Sequence, residues 1–144
     1  MEPVIVYYED TKVGDESPPF VIEGITRAQI ARYAGASGDY RPIHLDDAVA
    51  QKANNPSVFA HGMFIAGLLG HLLSDWLGAE HLRRYKVRFA ERVWPGDTIT
   101  CSAMITRKYE EDGVGLVDVE CRVTNQAGKA SVIGEATAAL PRRG

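Results

Sequence analysis

Residues 60–77, AHGMFIAGLLGHLLSDWL, carry apolar side chains nearly all the way round a helical wheel: Met63, Phe64, Ile65, Leu68, Leu69, Leu72, Leu73, Trp76 and Leu77. Only His61, His71, Ser74 and Asp75 interrupt them. As a helix this segment spans about 27 Å. A helix with no polar face persists in water only if the rest of the chain wraps it. A bilayer is not the wrapping: the most apolar stretch, FIAGLLGHLL, is broken by glycines and His71. It is also shorter than the roughly 20 residues a span needs. The remaining residues must therefore supply the cover.

They have the pattern to do so. From residue 82 onward the period becomes two. Tyr85, Val87 and Phe89 alternate with Lys86 and Arg88; Ile99, Cys101, Ala103 and Ile105 with Thr100, Ser102 and Met104; Val117, Val119, Cys121 and Val123 with Asp118, Glu120 and Arg122. Residues 129–139 form a weaker fourth case. Turn residues stand at Pro95-Gly96-Asp97, Asp112-Gly113 and Ala127-Gly128. Four long strands joined by short turns predict an antiparallel meander with one dry face. Packed around the buried helix, it gives an α+β architecture. Ahead of the helix, residues 4–8 and 19–25 read as short strands. Thr26 caps a helix ending at Gly35 or Gly38, and Asp46 or Asp47 caps a second, closed by Asn55-Pro56. No repeat or linker divides the chain, so residues 1–144 read as one domain.

Composition removes several functions. Sixteen basic against 19 acidic residues give a net charge of −3, and no basic run exceeds two residues, so neither nucleic acid nor a membrane surface is an expected partner. The start, MEPVIVYYED, lacks the layout of a secretory leader, which predicts a cytoplasmic protein. In that compartment Cys101 and Cys121 read as reduced core residues. No metal-ligand spacing, nucleophile elbow or Gly-rich phosphate loop occurs, so no metal or cofactor is expected.

Chemistry concentrates in two places, Gly38-Asp39-Tyr40-Arg41-Pro42-Ile43-His44 and Ala60-His61-Gly62-Met63. Pro42 forbids a regular helix through the first. A bent loop can aim Asp39 and His44 at one spot, where a carboxylate and an imidazole share the activation of a water. From spacing alone, a turn-capping Asp and a locally bonded His fit equally and are commoner. Gly62 opens the buried helix, whose first amides have no partner within it and carry the positive end of its dipole. A carbonyl oxygen gaining charge would be stabilised there; tight packing explains the glycine as well. His61 reads first as a helix-start residue. His71 reads as a core or subunit-contact residue, and His81 as a loop residue. Gly67 and Gly70 admit a neighbouring backbone.

YAGASGDYRPIHLDDAVAQKA followed by FAHGMFIAGLLG resembles the MaoC-like family of R-specific enoyl-CoA hydratases and (3R)-hydroxyacyl dehydratases. Its pattern, A-x-S-G-D-x-N-P-I-H-x-D and then A-H-G-M, is met by Ala36-Ser37-Gly38-Asp39, Pro42-Ile43-His44, Asp46 and Ala60-His61-Gly62-Met63. Residues 87–100 resemble the family's strand and turn after the helix. The resemblance implies a hot dog fold, a long antiparallel sheet wrapped around a buried central helix. It implies a homodimer, or a heterodimer with a similar chain. The implied reaction is reversible hydration of a trans-2-enoyl thioester of CoA or acyl-carrier protein to the (3R)-3-hydroxyacyl thioester. Asp39 and His44 become the catalytic pair, Gly62 the oxyanion donor, and His61 and Arg41 flanking substrate-binding residues. Arg41 departs from the family's Asn. Beside Asp39 it would favour the ionised carboxylate; pointing outward, it would meet a carrier phosphate or a partner chain. Two other readings share the scaffold: a non-catalytic hot-dog subunit, and a hot-dog thioesterase.

Overall fold

Alternation at residues 99–139 builds the centre of the molecule. A computed structural model describes residues 4–144. Strands β1 (Phe20–Ile22), β2 (Leu82–Phe89), β3 (Ile99–Glu111), β4 (Val114–Thr124) and β5 (Ala130–Ala139) form one antiparallel sheet in the order β1-β3-β4-β5-β2. Cys101, Ile105, Val119, Cys121, Val123 and Val132 turn inward and are buried. Helices α1 (Arg27–Ser37), α2 (Asp47–Lys52) and α3 (Gly62–Leu77) complete the chain. Ile65, Leu69, Leu72, Leu73 and Leu77 of α3 join the inward strand residues in one core. This is the α+β arrangement the pattern predicts.

The wrapping of α3 is one-sided in the single chain. Met63, Gly67, His71 and Asp75, four residues apart along the helix, are exposed, and His71 pairs with Asp75 at 3.1 Å. Cys101 and Cys121 are buried and unlinked, and burial pushes both thiols up to about 12. No helix among the described residues is long and apolar enough to cross a membrane.

Three expectations change. The strand expected at 4–8 is absent: residues 4–7 stay outside the sheet and Tyr8–Asp10 make a 3₁₀ turn. The Tyr8 ring occupies the slot left by Gly115, where a Cβ would lie 2.5 Å from it, with Lys108 and Arg142 against its faces. Plugging that slot takes the place of pairing in the sheet. The strand expected at 19–25 shrinks to β1, between Pro18-Pro19, which offer no N–H, and Gly24 at φ +64°.

The third correction matters most for the site. Only β3, β4 and β5 form a meander; β2 pairs with β5 at the far edge. Residues 90–98 therefore cross over rather than close a hairpin. The turn that suggests a hairpin, Pro95-Gly96-Asp97, is engaged elsewhere: Gly96 N–H donates to Ile25 C=O at 2.7 Å, and Ile25 N–H to Asp97 C=O at 2.8 Å. On its way the crossover accepts a bond from Ala60 N–H to Val93 C=O at 2.9 Å. That bond fixes the approach to α3.

Candidate active site

Helix α1 starts at a capping box between Thr26 and Gln29 and ends at Gly38, whose φ of +78° no β-carbon-bearing residue adopts easily. The chain then turns sharply. Ser37 Oγ accepts the Asp39 N–H at 3.2 Å, and Pro42 opens a 3₁₀ turn, Pro42–His44. Asp46 Oδ1 accepts the Ala48 N–H and starts α2. The stiffened loop between α1 and α2 brings Asp39 and His44 to the same cavity, the arrangement their spacing allows but does not favour.

His44 is buried. Its Nδ1 lies 2.7 Å from Phe59 C=O, so Nδ1–H donates and Nε2 is left with a lone pair and no hydrogen-bond partner. Burial holds its pKa below the usual imidazole value, despite the Phe59 bond that pulls the other way. The ring stacks on His61 (centroids 3.9 Å, planes at 26°) and meets Phe59 edge-on at 4.9 Å. Phe59 itself lies between Trp94 and the Arg92 guanidinium.

His61, also buried, serves the loop rather than the helix: Nε2–H donates to the backbone C=O of Asp39 at 3.0 Å, and Tyr33 covers its ring. The Asp39 carboxylate is gripped by Arg41, Nε to Oδ1 at 3.0 Å and Nη2 to Oδ2 at 2.9 Å, with the Arg41 backbone N–H to Oδ1 at 3.3 Å. The Arg41 side-chain bonds, above all, bring its pKa down to about 2. Of the two placements open to Arg41, the structure has the one against Asp39.

One cavity of about 630 Å³ is bounded by Asp39, Arg41, His44, His61 and Gly62, with Met63, Phe89 and Val132 among its apolar walls. At its floor α3 begins. Among the described residues the N–H groups of Gly62 and Met63 find no partner, whereas those of Phe64 and Ile65 reach His61 C=O at 3.1 and 3.4 Å. Gly62 also has a steric reason: a Cβ there would lie 3.0 Å from the Phe89 ring. A Cβ at Gly70 would lie 3.5 Å from the Tyr85 ring, and one at Gly67 would meet nothing within 4 Å. Gly62 and Gly70 thus admit side chains of β2, not a backbone. Tyr85 O–H adds a 2.7 Å bond to Ala66 C=O.

Asp39, His44 and His61 each offer a ligand atom within 4.8 Å of the others. The set does not suit a metal ion. Two rings stacked at 3.9 Å direct their lone pairs side by side rather than at one point ~2 Å away, and Arg41 already holds the carboxylate.

All five residues singled out from the sequence thus meet at one cavity. Sequence reasoning missed Phe59, whose backbone carbonyl sets the His44 tautomer, and the crossover residues Glu91 and Arg92 on the cavity wall. A carbonyl's partner leaves no trace in residue type. His71 and His81 stay outside the cavity: His71 is exposed on α3, and His81 bonds Leu77 C=O at 2.7 Å.

Residues 12–127 match the family described as "MaoC like domain". An (R)-specific enoyl-CoA hydratase of Rhodospirillum rubrum is 31% identical over 144 residues, covering 98% of this chain and 96% of its own. One of Aeromonas caviae is 32% identical over 117 residues, covering 79% and 85%. An unliganded R-hydratase of Pseudomonas aeruginosa superposes with a TM-score of 0.84 at 28% identity, covering 96% of this chain and 88% of that one. The sheet and helix described above are thus the hot-dog fold.

Proposed function

The chain belongs to the MaoC-like domain family, and on that premise we propose that it catalyses the reversible addition of water to trans-2-enoyl thioesters, giving (3R)-3-hydroxyacyl thioesters. One observation carries the reading: a buried imidazole with an unpartnered Nε2 shares a cavity with a carboxylate and with the unpaired amides at the start of α3. Two such groups within 4.8 Å can be bridged by one water at ordinary hydrogen-bond lengths. The water held by Asp39 and His44 attacks C3. Charge moves onto the thioester oxygen, where Gly62 N–H receives it, and a proton then reaches C2. His61 holds the backbone of Asp39, and Phe59 holds the tautomer of His44.

The acyl thioester is carried by CoA or by acyl-carrier protein, and the active form is a dimer, of two copies or with a similar chain. Strand β2 supports the dimer. It is a sheet edge of eight residues with one side unpaired, and Tyr85, Phe89 and Met63 beside it are exposed. The test is direct. Purified protein is given crotonyl-CoA and longer or branched enoyl-CoA, and enoyl absorbance is followed beside a free-thiol assay. Loss of absorbance without thiol release, absent in Asp39→Asn and His44→Ala, is the expected result. Thiol release identifies a thioesterase. Silence in both assays, relieved by a co-expressed similar chain, identifies a supporting subunit.

A further inference from the structure

Arg41 bears on how the proton travels. A carboxylate offers about four lone-pair sites. Arg41 takes three of those on Asp39, through Nε and its backbone N–H on Oδ1 and Nη2 on Oδ2. A water can use what remains as an acceptor. A carboxylate so held has no proton to give and is a poor site to receive one. His44 is the opposite case: its Nδ1–H is committed to Phe59, and its Nε2, buried like Nδ1 of His61, has no partner in a ring that lines the cavity.

We propose that Arg41 is a positioning residue that keeps Asp39 a permanent carboxylate, so that Asp39 only orients the water while His44 alone carries the proton between water and C2. This rests on the hydratase reading above. In the step, a water O–H bond breaks and its proton passes to His44 Nε2 as the oxygen bonds C3. The C2–C3 π pair moves toward the thioester carbonyl, and Nε2–H then delivers the proton to C2. The imidazole returns neutral, and no co-reactant is needed. The charged and titratable groups facing this pair are Arg41, His61, Glu91 and Arg92.

Two measurements test it on the intact protein. The first follows the Asp39 carboxyl carbon by NMR. Its shift stays flat between about pH 8 and pH 4 in the unsubstituted protein and titrates at higher pH in Arg41→Asn. The second is the pH profile of kcat/KM. Removing Arg41 takes a positive charge from the vicinity of His44 and leaves Asp39 unneutralised, and both changes favour the imidazolium. The acid limb therefore moves up by about half a pH unit or more in Arg41→Asn and stays near its original place in Arg41→Lys. A purely structural role would lower kcat/KM without moving the limb. A carboxyl inflection between about pH 4 and pH 7 in the unsubstituted protein, or superimposable limbs for Arg41→Asn and the unsubstituted enzyme, overturns the proposal while hydration stands. If no enoyl thioester is hydrated at any pH, the hydratase reading and the proton route fail together.

Discussion

Replacing Gly62 by proline deletes the single N–H assigned to the thioester oxygen while sparing the helix. Gly62 is the first residue of α3, the position where proline is best tolerated because the lost N–H has no partner there. His61 before it has φ −59° and ψ 136°, the extended geometry a following proline demands. Any β-carbon at 62 meets Phe89 at 3.0 Å, so the ring must retreat by roughly 0.5–1 Å to reach an ordinary carbon–carbon distance. Phe89 is 51% exposed and has room to do so. Losing glycine also reduces the freedom of the unfolded chain, a gain of about 0.4–1 kcal/mol that offsets the displacement. Gly62→Ala is the control, with the same contact on Phe89 but the N–H retained. Both variants should melt within about 4 °C of the parent. Gly62→Pro should then lose ~10²–10³-fold in kcat relative to Gly62→Ala, the usual effect of removing one oxyanion donor. Calorimetry and steady-state hydration of crotonyl-CoA measure the two halves. Equal kcat for the two variants, both folded, would refute the role of that amide.

Tyr85→Phe removes the bond to Ala66 C=O and should cost about 1 kcal/mol. The melting temperature falls by a few degrees while kcat stays put, since the hydroxyl lies outside the cavity; an unchanged melting temperature would contradict the bond. Stability should also decline on acidification. His44 has a folded pKa below its ordinary 6.5, so its contribution is present at neutral pH and is lost as pH drops through that ordinary value. Asp39, held down to about 2, adds a second loss only below about pH 4. Melting curves of His44→Gln should accordingly be flatter between about pH 7 and pH 5, and equal slopes would count against a buried neutral imidazole. Light scattering of the purified chain should return twice the monomer mass, and a stable monomer that hydrates enoyl thioesters would remove the dimer.

The fold was legible where pattern follows from burial. An apolar helix and period-two strands have few ways to hide their faces, and α3 with β3, β4 and β5 lie where those periods place them. Strand order was not legible, because β2 alternates equally well beside β3 or β5. The choice is made by partners distant in sequence: Ile25 occupies the turn at 95–97 and Ser131 accepts from Ala90 N–H at 2.9 Å, so the chain crosses instead of folding back. The small residues of α3 were legible as a groove but not as to their guest. Gly62 and Gly70 are about 12 Å apart along the helix; Phe89 and Tyr85 are about 13 Å apart along β2. Matching rises let the two rings seat on the two glycines, a fit that single-element periodicity does not reveal.

The site divides along the same line. Its loop was readable because each residue has a local job: Gly38 accepts a left-handed turn, Pro42 breaks the helix, and the spacing of Asp39 and His44 follows. What each side chain then does depends on neighbours the sequence keeps apart. Phe59 is 15 residues from His44, yet its carbonyl determines which imidazole nitrogen carries the proton. His61 reads as a helix-start residue, but its ring spans 22 residues to hold the backbone of Asp39. Arg41 is the sharpest case. Its identity allows a guanidinium turned toward solvent or one folded onto the neighbouring carboxylate, and the two predict different proton inventories from one sequence. An exposed side chain with several rotatable bonds keeps that choice open until geometry closes it. Here three bonds to Asp39 close it, and on the proposed route the acid–base work falls to His44, whose Nε2 is buried without a partner.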